Sequence, residues 1–243
     1  MGRMHRALNF EGMLNARDLG GLPVGGAQTR WKSLVRSDST ARLTPRGTQA
    51  IVDYGIRTVI DLRFPVELQQ NPSSFASNGR QPVYHCYSLL GESWPNWVAR
   101  GAQSDESYWY SSFLDCSQPE MRRVLELIAD APAGGVLFHC TAGKDRTGVA
   151  AMLLLALAGV PDEAIATDYA MTAPNLAETR RQELEGVTDP AARARIEDGF
   201  RCEPAFAVHT LAHLRRRYGG AAGYMQTVGL DAARIERLRA RLV

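Results

Sequence analysis

The apolar positions of this chain fall into short β-branched runs and longer runs at helical spacing. The first forty residues are polar and glycine-rich apart from a patch at Ser33-Leu34-Val35, and read as irregular chain with short strands. Thr44-Pro45 marks a helix start, an N-cap residue with proline at the first helical position, and Gly55 marks its end. Ile56–Leu62 (IRTVIDL) is apolar enough for a buried strand, and Val83–Leu89 (VYHCYSL) reads as another. Leu90–Ser104, with Trp94, Pro95 and Trp97, has no period and suits a loop over a site. Helical stretches follow at 106–115 and 118–130.

Val136-Leu137-Phe138 is a further buried strand, and the apolar segment Val149–Val160 is a helix ending near Gly159. Pro161-Asp162-Glu163 opens the next helix with acidic residues suited to its N-terminus. Ala173–Phe200 alternates charge at helical spacing, broken at Gly186 and Pro190, the pattern of a solvated helical face. Glu203–Tyr218 and Asp231–Leu242 are amphipathic helices joined by the glycine-rich Gly219–Gly223. Strands alternating with helices predict an α/β fold, a central, mostly parallel sheet flanked by helices, in one domain over residues 1–243.

Between the strand at 136–138 and the helix at 149 lies the stretch that carries chemistry, His139-Cys140-Thr141-Ala142-Gly143-Lys144-Asp145-Arg146-Thr147-Gly148. A tight loop from a buried strand into a helix aims successive N–H groups into one concavity, at the positive end of a helix dipole. That concavity suits phosphate or another oxyanion, held by the amides from Thr141, Ala142, Gly143, Lys144 and Asp145 to Arg146. A thiol there beside Arg146 sits in positive potential that favours the thiolate, so Cys140 is the expected nucleophile. Arg146 is planar and permanently charged, and can hold two phosphate oxygens as the phosphorus becomes five-coordinate. Gly143 sits where the chain turns closely around an anion. Thr147 is expected to hydrogen-bond the Cys140 sulfur, and His139 to order the loop. The nucleotide-binding pattern G-x-x-x-x-G-K-[ST] is absent, since Lys144 is followed by Asp145.

HCTAGKDRTG resembles the active-site loop of cysteine-based protein tyrosine phosphatases, and its Lys-Asp-Arg-Thr-Gly form resembles their bacterial tyrosine/serine phosphatase branch. The likeness extends to Asn15-Ala16-Arg17-Asp18-Leu19-Gly20-Gly21, Arg36-Ser37-Asp38, Val59-Ile60-Asp61-Leu62-Arg63, Asp168-Tyr169 and Tyr218-Gly219-Gly220 with Gly223-Tyr224, and so covers nearly the whole chain. It implies the fold of the phosphotyrosine protein phosphatases II type, a phosphocysteine intermediate, no metal and no cofactor. The implied substrates are phosphoproteins, chiefly phosphotyrosine and in some members phosphoserine/threonine, or phosphoinositides. A mycobacterial member of the branch has a helical lid, for which this sequence assigns no segment.

The leaving group needs a proton. In many tyrosine phosphatases a Trp-Pro-Asp loop supplies it, but here Trp94-Pro95 is followed by Asn96, which has no carboxyl. Asp145 is the first choice, because myotubularin-type lipid phosphatases also place an aspartate before the arginine. Asp61, near a strand's C-terminal end, is second, with a partner for Arg63 as its alternative role; Glu92 and Asp105 carry low weight. Arg17, Asp18, Arg36 and Asp38 read as a structural charge network. Lys144 adds charge for a polyanionic substrate or points into water.

Composition narrows the alternatives. The formal net charge of +2 and 22% charged residues give no footing for nucleic acid, and the 28 basic residues include only two lysines, Lys32 and Lys144. Cys86, Cys116, Cys140 and Cys202 form no C-x-x-C pair, so zinc and thioredoxin readings are unsupported, and which cysteine could protect Cys140 as a disulfide is open. The N-terminus lacks an apolar h-region, Arg6 breaks the myristoylation pattern, and VAAMLLLALAGV is too short to span a bilayer. These features predict a cytoplasmic protein without stable membrane insertion, with signal-less export open. Beside phosphatase activity stand a catalytically silent phosphate-binding module and rhodanese-like sulfur transfer, which the Arg-Thr-Gly ending disfavours.

Overall fold

Alternate residues of the central strands face two different cores. Val136 and Phe138 join one cluster with Leu34 and Ile60, while Leu137 joins a second with Val35 and Val59. Both clusters are shut off from water, so the sheet is covered on both faces, as parallel sheets are. The computed structural model describes residues 5–76, 82–91 and 106–243.

The strands are β1 Arg17–Asp18, β2 Pro23–Val24, β3 Ala27–Gln28, β4 Leu34–Ser37, β5 Ile56–Asp61, β6 Val83–Cys86 and β7 Gly135–His139. The main sheet runs β1-β4-β7-β5-β6, and β2 pairs with β3 alone. β4, β7, β5 and β6 are parallel, and β1 is antiparallel to β4. β7 lies between β4 and β5, with Ser37, His139 and Asp61 in register at the strand ends. The chain order therefore reverses at β7, and the crevice beyond such a switch point is where open α/β sheets bind ligands.

The helices are α1 Pro45–Tyr54, α2 Pro65–Gln70, α3 Glu106–Cys116, α4 Gln118–Ala129, α5 Asp145–Ala158, α6 Asp162–Ala170, α7 Thr172–Asn175, α8 Ala177–Leu184, α9 Pro190–Gly199, α10 Pro204–Tyr218, α11 Ala221–Thr227 and α12 Ala232–Ala240. α1 has the expected ends: the Thr44 hydroxyl accepts from Gly47 N at 3.1 Å, and Gly55 closes it at φ +105°. α5 is buried from Thr147 to Leu155, because Leu, Ala and Val occupy every side of it. It lies in the larger core against α6, α11 and α12.

Three expectations need adjusting. The strand expected over Val83–Leu89 stops at Cys86, although Tyr87 and Leu89 still bond Asp61 and Leu62 through their backbones. Gly219–Gly223 is not a plain linker, since α11 starts at Ala221 and includes Gly223. The helix after the loop begins at Asp145, a full turn before the apolar segment. Trp94-Pro95-Asn96, Glu92 and Asp105 lie outside the described residues.

Candidate active site

β7 delivers Cys140 to the C-terminal edge of the sheet, and five residues later α5 begins. The carbonyls of the first four residues between them, 140–143, are each bonded from behind. His139 Nδ1 lies 3.1 Å from the Cys140 oxygen, Ser39 N donates to Thr141 at 3.0 Å, Asn15 Nδ2 to Ala142 at 2.9 Å, and Arg36 Nη2 to Gly143 at 2.7 Å. A planar trans peptide points its N–H opposite to its C=O, so pinning four carbonyls outward turns the next four N–H groups inward. The first N–H groups of α5, which have no intrahelical partner, continue that array. Gly143 makes the turn at φ +67°, and a Cβ there would come within 2.4 Å of the Ser37 oxygen. Only glycine fits.

The braces are themselves held. Asn15 N donates to Asp38 Oδ1 at 2.9 Å, and Arg17 Nη1 donates to Asn15 Oδ1 at 2.5 Å. Arg17 and Arg36 converge on the buried carboxylate of Asp168 at 3.2 and 2.8 Å, and Arg6 binds it too. Burial pushes the Asp168 carboxyl up, but Arg17, Arg36 and Arg6 outweigh it and hold it well below the usual range. Asn15, Arg17, Arg36 and Asp38 are thus a structural network behind the loop, whereas the Asp18 carboxylate accepts from Gly20 N, Lys32 N and the Tyr54 hydroxyl.

Cys140 is 2% exposed and carries a free thiol. Arg146 meets Glu67 through Nη1 at 2.5 Å and Nη2 at 2.9 Å, and its guanidinium lies 5.1 Å from the centre of the Phe64 ring. The Thr141 hydroxyl also donates to Glu67. Burial pushes Glu67 up, yet the bonds from Arg146 and Thr141 bring it down to about 2. Arg146 is raised above its ordinary value, as Glu67 and the nearby Cys140 and Asp145 outweigh its desolvation. Sequence reasoning missed Glu67. Its signal was Pro65 followed by Glu67 just beyond Asp61, the first and third positions of a helix starting at the sheet edge. Glu67 also accepts from Phe64 N at 2.7 Å, half of a capping box.

The other expected residues divide. Asp145 is the first residue of α5, its side chain is 48% exposed, and its Oδ1 accepts from the Tyr110 hydroxyl at 2.6 Å. His139 is fully buried, and its Nδ1 contact with a carbonyl assigns the proton to that nitrogen; burial lowers its pKa. Asp61 is also fully buried, and both oxygens are taken. Arg63 binds Oδ1 through Nε at 2.9 Å and Oδ2 through Nη2 at 2.7 Å, Tyr84 donates to Oδ2 at 2.9 Å, and His139 Nε2 is 3.5 Å away. Burial pushes Asp61 up, but His139 and Arg63 bring it below the usual value. The ion pair with Arg63 expected as its alternative role is present.

Two expected contacts are corrected. The Thr147 hydroxyl is buried and has no hydrogen-bond partner among the described residues, so it makes no bond to the Cys140 sulfur. The fold of the loop puts Thr147 inside the first turn of α5, where the carbonyl one turn back, that of Gly143, is already bonded by Arg36. Lys144 does not point into water: its Nζ donates to the Gly199 carbonyl at 2.7 Å, tying the loop to the end of α9, and lies 3.7 Å from Asp145 Oδ1.

Two cavities open on the loop. One, of about 350 Å³, lies between Ser39, Arg42, Glu67, Thr141, Glu183 and Phe200; the other, of about 490 Å³, between Ala142, Lys144, Asp145, Ile196 and Phe200. α8, read from sequence with α9 as a solvated face, supplies Glu183 to both, and α9 lines the larger one through Ala192, Arg195 and Ile196. Leu176 and Phe200, at the near ends of these helices, line both cavities.

The thiol of Cys140 thus stands at the start of a braced loop, with Arg146 six residues on in the first turn of α5. A model of the tyrosine phosphatase family matches residues 8–243. A tyrosine-protein phosphatase of Nostoc commune is 36% identical over 220 residues, 86% of this chain and 74% of that protein. The triple specificity protein phosphatase PtpB of Mycobacterium tuberculosis is 29% identical over 141 residues, 52% of this chain and 50% of that protein. The match spans the loop, the braces behind it and the helices that carry them, and on that extent the chain belongs to the tyrosine phosphatase family.

Proposed function

We propose that this enzyme hydrolyses phosphotyrosine through a covalent phosphocysteine on Cys140. The observation that carries the reading is the set of four pinned carbonyls, which prepares an N–H array for a dianion before any substrate arrives. The Cys140 thiolate attacks phosphorus as the bond to the leaving oxygen breaks, and Asp145 gives that oxygen its proton. Water then attacks phosphorus, Asp145 takes a proton from it, and the P–S bond breaks to release phosphate and restore the thiolate. Arg146 follows the charge on the equatorial oxygens, held flat by Glu67. Asp61 serves as a brace through Arg63 and His139.

The mouth favours an aryl phosphate over a phosphoinositide. Phe200 lines it together with Glu67 and Glu183, and its two arginines, Arg42 and Arg63, are paired with Asp38 and Asp61. A polyphosphorylated headgroup finds no excess of positive charge there, whereas a tyrosyl ring meets an aromatic wall.

The Cys140→Ser variant is expected to lose turnover of p-nitrophenyl phosphate while still binding phosphate or vanadate. Full activity in that variant would remove the nucleophile. Specificity constants for phosphotyrosyl peptides, phosphoseryl peptides and phosphoinositides then rank the substrates, and a preference for phosphoinositides would overturn the aryl reading alone.

A further inference from the structure

We propose that Tyr110, backed by Tyr169, is a positioning residue that fixes which oxygen of Asp145 delivers the proton to the leaving group. This rests on the reading of Asp145 as the general acid. Tyr110 stands on α3 and Tyr169 on α6; they are 5% and 0% exposed, and their rings meet edge to face at 5.7 Å. The two hydroxyls are 2.6 Å apart, and the Tyr110 hydroxyl is 2.6 Å from Asp145 Oδ1.

Counting protons gives the direction of the chain. An ionised carboxylate only accepts, so the single Tyr110 proton goes to Asp145. The Tyr169 proton is then the one shared between the phenols, and it runs from Tyr169 to Tyr110. Burial and the charge of Asp145 raise the pKa of both phenols, so both keep their protons. Oδ1 is therefore occupied by Tyr110 and faced by Lys144 Nζ at 3.7 Å, while Oδ2 has no hydrogen bond among the described residues. The half-exposed side chain lines the cavity of about 490 Å³.

When Asp145 is protonated, its carbonyl oxygen is the better acceptor of the two, so the Tyr110 bond to Oδ1 favours the hydrogen on Oδ2. As that proton passes to the leaving oxygen, the O–H electron pair stays on the carboxylate and the Tyr110 bond becomes charge-assisted. Such bonds are about twice as strong as neutral ones. The relay thus stabilises the carboxylate that proton transfer creates, and matters most where the leaving group needs its proton most.

The test is the first-turnover release of phenols of increasing basicity, from dinitrophenyl phosphate to phenyl phosphate, in wild type and in Asp145→Asn, Tyr110→Phe and Tyr169→Phe. Asp145→Asn should lose about 100-fold on phenyl phosphate and little on dinitrophenyl phosphate. Tyr110→Phe should show the same graded pattern at about tenfold, and Tyr169→Phe at about threefold, both with thermal unfolding cooperative as in wild type. A loss in Asp145→Asn that is even across the series would overturn the general acid. A graded loss in Asp145→Asn beside an even loss, or none, in Tyr110→Phe would overturn the relay and leave the acid standing. Should Tyr110→Phe fail to fold, Tyr169→Phe decides by the same criterion, graded for the relay and even against it.

Discussion

Behind the loop, Asn15, Arg36 and His139 hold carbonyls from positions that water does not reach; in front, Glu67 and Lys144 hold Arg146 and Gly199 through side chains that it partly does. The rear donors were stripped of water on folding, so each must find its acceptor or leave a costly orphan. The charges there are crowded as well. Burial first, and then the like charge of Arg36, bring Arg17 down to about 10. The front contacts, by contrast, leave room for an incoming anion: Glu67 holds Arg146 through Nη1 and Nη2, and Nε has no partner among the described residues. The division explains how the loop can be rigid and yet open to substrate, since its shape is set from the side the substrate never touches.

The severest way to break this division is to remove the counter-charge at the rear. Asp168→Asn keeps the shape but leaves Arg6, Arg17 and Arg36 converging on a neutral amide. Loss of one partner of a buried ionic cluster costs about 3–5 kcal/mol, and urea unfolding should show a deficit of that size. Activity should fall with it, by at least about tenfold in the folded fraction, because Arg36 is also the donor to Gly143. A deficit below about 1 kcal/mol would mean that the cluster is not under the stress inferred from its burial.

How much of this could be read in advance follows from sequence distance. The strand, the loop and the helix of 136–158 are contiguous, and Thr44, Pro45 and Gly55 mark α1 within ten residues, so local chemistry sufficed. The braces were visible as motifs but not as braces. Asn15 and Ala142 are 127 positions apart, and Arg36 and Gly143 are 107 apart, so no period or cap connects them. Asp61 shows the opposite case: its partner Arg63 stood two residues away, and that pair was legible in the sequence beside the strand-end place that suggested chemistry. For α8 and α9, charge patterning reports the water side of a helix and is silent about what the few apolar residues face.

At the front, Glu67→Gln sharpens the comparison by separating alignment from stability. The pair with Arg146 is only partly buried, so its loss should cost less than about 1 kcal/mol near neutrality. The guanidinium loses its planar guide, and kcat/KM should fall by about tenfold. Acid titration of stability gives the sign. The folded Glu67 carboxyl lies at about 2, against 4.5 unperturbed, so its contribution is complete above about pH 4.5 and fades as pH falls toward 2. Wild type and Glu67→Gln should therefore differ above pH 4.5 and converge below it. Curves that stay parallel down to pH 2 would assign the ion pair no part in folding.

The mildest change should fall on Lys144, whose bond to Gly199 fastens α9 without reaching the rear network. Lys144→Met keeps the apolar stem and removes only the ammonium, so packing beside Ala142 and Ile196 is retained. A hydrogen bond of this kind contributes about 1 kcal/mol, which corresponds to roughly fivefold faster amide exchange in α9. The urea midpoint should not move, because α9 has no buried residues of its own and adds little to global stability. Exchange measured residue by residue distinguishes the outcomes. Faster exchange confined to 190–199 means that the front wall opens on its own, whereas equal acceleration in α1 would mean that the two sides of the loop share one unfolding unit. In the second case the front would not be exchangeable independently of the rear, and substrate entry would have to draw on the same free energy that holds the whole sheet together.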